Sequence, residues 1–149
     1  MSDVWQPTDD FAAARELGRR LDALGYTEDA LCDLLGDDVY DTVEPSVPIH
    51  DRRLPHTPLA TAVRACFLSL PVARGDAEAA IGTEGVAAFA STGLATLDAG
   101  RLVPRGRILP IEELLVASDS YSRGIDDPSG YVATYTPTAR QCSCLTPRR

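Results

Sequence analysis

The stretch Thr57-Pro58-Leu59-Ala60-Thr61-Ala62-Val63-Arg64-Ala65-Cys66-Phe67-Leu68-Ser69-Leu70-Pro71 opens on a helix-start signal and closes on a helix breaker. Thr57 suits the N-cap and Pro58 the first helical position, while Pro71 has no N–H with which to continue the ladder. Two shorter helices are expected next, about Gly75 to Ile81 with a stop at Gly82, and about Thr83 to Ser91 with a stop at Gly93. The pattern then changes from helical spacing to extended chain. Leu94 to Leu97, a turn at Asp98-Ala99-Gly100, Leu102 to Leu109, and Leu114 to Ser118 read as three short strands.

Helix, helix, helix, strand, turn, strand is the order of a winged-helix unit, a helix-turn-helix relative with a β-hairpin wing. Upstream of it, Asp9 and Asp10 precede an amphipathic run from Phe11, with Leu17, Leu21 and Leu24 at helical spacing and Gly25 as the stop. Thr27 then caps Glu28 to Leu35, and Gly36 ends that helix. The expected fold class is therefore α+β: a helical N-terminal layer packed on a winged-helix-like unit with a short β-hairpin wing. Residues 1–44 form the acidic helical layer, with one more turn over Asp38 to Val43. Residues 45–56, with Pro45, Pro48 and Pro55, read as an irregular connection, and residues 57–119 as the winged-helix-like unit. Residues 120–149 are polar and turn-rich, and read as a linker.

Charge narrows the chemistry. All 14 basic residues are arginine, which excludes a P-loop or a Schiff-base enzyme because each needs a lysine. Residues 1–44 carry 12 acids against 3 arginines, a net −9 in a chain whose total is −8. Phosphate is repelled from that third of the molecule, so nucleic-acid binding through bulk charge is disfavoured there. The acids Asp33, Asp37, Asp38 and Asp41 either keep a small helical layer soluble or offer a docking face to a basic partner.

No stretch approaches the ~20 apolar residues of a membrane span, and no basic segment followed by an apolar run opens the chain. A cytoplasmic location with no membrane partner is expected, and with it reduced cysteines. Cys32 and Cys66 fall inside helical patterns. Cys142 and Cys144 form a Cys-x-Cys pair, but a structural zinc needs four ligands and the two histidines, His50 and His56, lie far upstream, so no metal is expected.

The run Leu70-Pro71-Val72 through Ala80-Ile81-Gly82, then Gly85-Val86 through Thr92-Gly93-Leu94, then Leu109-Pro110 and Leu115-Val116-Ala117-Ser118-Asp119, carries a family resemblance. It resembles the N-terminal winged-helix region of actinobacterial class I S-adenosylmethionine-dependent methyltransferases. Those are similar to release-factor glutamine methyltransferases and related small-domain methyltransferases. Tyr131-Val132 through Leu145-Thr146-Pro147-Arg148-Arg149 is similar to what precedes their first Rossmann strand. The resemblance implies that a Rossmann-like methyltransferase domain follows residues 120–149 and supplies the donor site. It also implies that Thr136, Pro137 and Thr138 fold over the S-adenosylmethionine pocket of the intact enzyme. Neither the Asp-x-Gly-x-Gly-x-Gly turn nor the Asn-Pro-Pro-Tyr motif of such enzymes is present in this sequence, so the chain by itself is expected to hold no cofactor and no catalytic residue. Its expected role is to recognise and position a methyl acceptor, a protein glutamine or a nucleic-acid base.

The residues also admit a free-standing winged-helix regulator that binds nucleic acid. In such a protein the helix Thr83 to Ser91 would enter the major groove, but it carries one acid and no base. The better contact surface is the wing, where Arg101, Arg105 and Arg107 fall close together around Gly100 and Gly106, and alternate arginines on a strand share a face. Their alternative reading is a solvated edge, or pairing with Glu112 and Glu113. Asp9, Asp10 and Glu16 have nothing that fixes them beside a nucleophile. Ser118-Asp119-Ser120 has no histidine near it in sequence, which disfavours a catalytic triad.

Overall fold

A helix begins where a side chain can satisfy the N–H groups that its first turn leaves open. In the computed structural model, which describes residues 8–37, 39 and 46–120, Asp10 does this for α1 (Phe11–Leu24), accepting from the Ala13 N–H at 3.0 Å. Thr27 does it for α2 (Glu28–Leu35) at 3.2 Å, with Glu28 and Asp29 in a first turn whose dipole favours acids. Gly25 and Gly36 stand at the C-caps, as the sequence predicts.

The connection expected over residues 45–56 is not irregular throughout, because it contains α3 (Val47–Arg53). Pro48 lies in its first turn, where a missing N–H costs nothing, and His50, Arg52 and Arg53 lie in its last turn, where the dipole favours cations. Thr57 then caps α4 (Pro58–Ala62), accepting from the Ala60 N–H at 3.2 Å. The helix widens at Val63–Phe67 into a π-helical turn, whose Leu68 N–H reaches back to the Val63 carbonyl at 3.0 Å.

A two-residue strand absent from the sequence reading follows, β1 (Val72–Ala73), and leads directly into α5 (Arg74–Ser91). The two short helices expected here meet inside α5 at Gly82, whose φ of 78° and ψ of 164° break the helical path. β2 (Ala95–Asp98) and β3 (Arg101–Pro104) form the hairpin, turning through Ala99 and Gly100, both at positive φ. Two such residues in succession match the right-handed twist of the flanking strands. The sheet order is β1-β3-β2, antiparallel throughout.

The strand expected over Leu102 to Leu109 is in fact two, β3 and β4 (Gly106–Ile111), and β4 pairs with β5 (Leu114–Asp119) in a separate sheet. The break has a local cause. The Leu94 carbonyl accepts both the Arg105 N–H (2.7 Å) and the Gly106 N–H (3.2 Å), which turns the chain out of the first sheet. The fold is thus α+β, a helical N-terminal layer packed against further helices and two small antiparallel sheets, the first of them containing a tight hairpin. Leu17 and Leu21 of α1 enter one continuous core with Phe67, Val86, Phe89, Leu102 and Leu109. Tyr26 joins it fully buried, donating its hydroxyl to the Ile108 carbonyl at 2.6 Å.

Two outcomes follow from this packing. At Gly82 a Cβ would stand 2.5 Å from Arg20 Nη1, and the backbone occupies a region that is nearly glycine-only. Gly82→Ala should therefore lower the free energy of unfolding by about 1–3 kcal/mol, read from urea denaturation with an unchanged m-value. On α1, Glu16 accepts from Arg19 (2.7 and 3.0 Å) and from Arg20 (2.7 Å), and these bonds lower its pKa from 4.5 to about 2. Because the folded-state value lies below the unfolded one, the stabilisation is complete above pH 4.5 and is lost as pH falls towards 2. Glu16→Gln should lower Tm modestly at pH 7 in low salt, and less in high salt because the pair is exposed. Near pH 2 it should leave Tm unchanged.

Candidate functional site

The three arginines read as one wing surface part company in the structure. Arg101, at the start of β3, is exposed, and its Nη2 donates to the Pro71 carbonyl at 3.1 Å. Arg105 is half-buried in the link between the sheets. Arg107 is 3% exposed, donates through Nε to the Phe67 carbonyl at 2.9 Å, and lies 4.6 Å from the centroid of the Phe67 ring. The expectation of a shared arginine face is corrected on that ground. Alternation places side chains inside and outside in turn only where one face of a strand is solvated, and β4 is buried from Gly106 to Pro110. Glu112 and Glu113 sit at the turn of the β4–β5 hairpin, the end opposite Arg107, whose register partner is Ser118.

The second leg of α5 buries Gly85, Val86, Ala88 and Phe89 and leaves Thr83, Glu84, Ala87 and Ser91 outward, a stripe with one acid and no base. α1 packs along this helix. Arg20 of α1 bonds Glu84 at 3.2 Å, and the Thr8 hydroxyl donates to the Ser91 carbonyl at 2.7 Å. A surface that would have to enter a DNA groove is thereby partly tied to the N-terminal layer.

A more promising site lies where α3, the π-helical turn, β1, the start of α5 and the start of β3 converge. They enclose an open cleft of about 700 Å³. Arg52, His56, Arg64 and Arg101 line it against Asp51 and Asp76, with Leu54, Leu70, Pro71 and Val72 as its apolar lining. Arg64 is a built-in strut. Its Nε donates to Asp51 Oδ1 (2.7 Å), its Nη1 to the Pro55 carbonyl (3.0 Å), and its Nη2 to the carbonyls of Leu54 (2.9 Å) and Asp51 (3.3 Å). Four charge-assisted bonds from one guanidinium fix the segment after α3 and leave that arginine little to offer a ligand. Arg52 and Arg101 differ, for neither has a carboxylate partner among the described residues. The sequence could have disclosed α3 through Pro48 and its basic last turn, but nothing local joins Asp51 to Arg64 or Arg101.

The remaining candidates resolve into structural roles. Asp10 is the cap of α1, and Glu16 belongs to the Arg19 and Arg20 pairs. Asp33 and Asp37 are exposed on the helical layer. Ser118 is buried and its hydroxyl donates to the Asp119 carbonyl at 3.2 Å, while His50 belongs to α3 and His56 to the cleft. Neither Cys32 nor Cys66 is in a disulfide, and burial pushes the Cys66 thiol up to about 12, which leaves it inert at neutral pH. Among the described residues no group of His, Cys, Asp and Glu could hold a metal, and no helix is long and apolar enough to cross a membrane. Thr136, Pro137 and Thr138, as well as Cys142, Cys144, Asp38 and Asp41, lie outside the described residues.

The split among the arginines is measurable. Arg107→Ala removes the donor from a buried carbonyl together with a cation–π contact, and should cost at least about 2 kcal/mol of stability. Arg101→Ala, at the surface, should stay within about 0.5 kcal/mol of the parent in the same denaturation experiment.

No curated protein matches this chain, and no solved structure does. One family model does, over residues 23–105, from the end of α1 through the link that precedes β4. Since that match spans more than half of the 149 residues, the chain belongs to the family described as Domain of unknown function (DUF7059).

Proposed function

We propose that this chain is the non-catalytic region of an S-adenosylmethionine-dependent methyltransferase that recognises and positions the methyl acceptor, the donor site being supplied by a Rossmann-like domain. The observation that carries the reading is the pairing of a tied-down second leg of α5 with an open, arginine-bearing cleft. The winged-helix-like unit spends the helix that a DNA-reading relative would insert in a groove on packing and on the Arg20–Glu84 bond. Its accessible chemistry lies instead in the cleft beside β1. The methyltransferase element comes from the resemblance carried by Leu70 through Gly82 and by Leu115 through Asp119.

The described residues do not fit the donor. Every described sheet is antiparallel, so no parallel strand leads into a glycine-rich turn that could cradle a nucleoside. S-adenosylmethionine supplies an electrophilic methyl group, and no step of its transfer is assigned to this chain. What the chain's own residues do is present donors and a shaped cleft to the acceptor. A cytoplasmic location accords with this reading, as does the reduced state of Cys32 and Cys66.

The runner-up, a free-standing nucleic-acid-binding regulator, would need a groove-reading surface that the outward stripe of α5 does not offer. Titration calorimetry separates the two. S-adenosylmethionine should give no binding heat with this chain and stoichiometric heat when the chain is followed by the Rossmann-like domain. Duplex DNA should give no salt-dependent binding. Stoichiometric donor binding by the chain alone would sink the proposal, and tight, salt-sensitive DNA binding would replace it with the runner-up.

A further inference from the structure

The cleft discriminates between the two kinds of acceptor that the proposed function allows. Its unspent donors are Arg52, from α3, and Arg101, from β3. Arg52 has given only its Nε, to the Pro48 carbonyl at 3.2 Å, and Arg101 only one Nη2 bond, to the Pro71 carbonyl. Each therefore retains N–H donors for an incoming carboxylate or phosphate. The backbone adds one more. The Arg74 N–H donates to Gly100 of the hairpin at 3.0 Å, and successive N–H groups along an extended strand point to opposite sides. The Ala73 N–H therefore points away from β3, and Ala73 itself lines the cleft.

The rest of the lining chooses between nucleic acid and protein. A single-stranded nucleic acid is held by aromatic platforms together with a continuous basic track. Among the described residues the lining contains no Phe, Tyr or Trp, and its arginines are interrupted by Asp51, which Arg64 holds, and by Asp76, which has no ion-pair partner among those residues. A phosphodiester chain is negative at every step and cannot avoid those carboxylates. A peptide can, since it places acids only where arginines await them, and its aliphatic side chains find Leu54, Leu70 and Val72 in the cleft.

We infer that the cleft binds an acidic–aliphatic peptide segment of a partner protein, its carboxylates received by Arg52 and Arg101. The inference rests on the acceptor-positioning reading only for the partner's role, not for the binding itself. The two can fail separately: donor binding by this chain overturns the function, whereas the experiment below tests the cleft alone.

A fluorescein-labelled peptide that alternates Glu with Leu and Val is titrated against the full 149-residue chain in low salt and followed by fluorescence anisotropy. Saturable binding is expected, weakened roughly tenfold or more in the Arg52→Ala/Arg101→Ala double variant, with that variant's Tm unchanged because both side chains lie at the surface. The same peptide with Lys in place of Glu should not bind. Absence of binding by the acidic peptide, equal binding by the double variant, or equal binding of the lysine peptide overturns the proposal. So does tighter binding of a single-stranded uridine oligonucleotide that the double variant loses.

Discussion

The guanidinium of Arg107 is buried where β4 packs against the π-helical turn, and much else is arranged to keep it there. Removing such an ion from water costs several kcal/mol unless its donors are matched. The match includes the Phe67 carbonyl, at the C-terminal end of the helix that runs from Pro58 through the π-helical turn. A helix C-terminus carries unsatisfied carbonyls and partial negative charge, so a cation there serves as both hydrogen-bond cap and dipole partner. The ring of the same Phe67 receives the face of the guanidinium at 4.6 Å. The next residue along β4 makes the complementary tie, for the Ile108 carbonyl accepts the buried Tyr26 hydroxyl from the N-terminal layer. Two adjacent residues of one buried strand thus bind β4 to both helical groups, and the second sheet acts as a seam between them.

With the seam in place, the unit formed by α4, α5 and the first sheet is used as a frame. α1 lies along α5 and ties Glu84 through Arg20, which passes close over Gly82 and Gly85. The absence of a Cβ at Gly82 is what admits that approach. On the other side of the unit's first helix, Arg64 holds the segment after α3 by four bonds, and that segment becomes a wall of the cleft. The π-helical turn that begins at Val63 carries both Arg64 and Phe67. One widened turn therefore serves the seam through its last residue and the cleft through its second, and π-helical turns recur at functional sites for reasons of this kind.

How far the sequence disclosed this depended on whether the deciding interaction was local. Asp10, Thr27 and Thr57 announced their helices because a cap acts within three residues, and Gly25, Gly36 and Gly82 announced the stops or breaks for the same reason. The strand read over Leu102 to Leu109 passes over Pro104 and Gly106, which flank the break and are its local signal, but that the Leu94 carbonyl makes the dividing bonds is set from upstream and is not visible there. β1 is too short to have a pattern and exists because Val72 and Ala73 find Leu102 and Arg101. The arginine spacing around Gly106 was visible, but which arginine turns inward is set by the burial of β4 on both faces, a tertiary fact. The cleft was least legible of all, since it unites Asp51, Arg64, Asp76 and Arg101 from four separate elements.

The division of charge along the chain gains a meaning from this geometry. No residue of α1 or α2 lines the cleft, so the acids of these two helices stand outside it while Arg52 and Arg101 line it. At physiological ionic strength a charge is felt over about 8 Å, which makes the field near the cleft a local property and not a reflection of the net −8. An acidic partner segment that reaches the cleft meets arginines at short range, but one approaching across the helical layer meets Asp22, Asp29, Asp33 and Asp37, all exposed. The repulsive face costs most to a partner lying across both surfaces and least to one presenting a short segment to the cleft alone. Charge that contributes little to the affinity of such a contact can thus restrict the direction from which it is made.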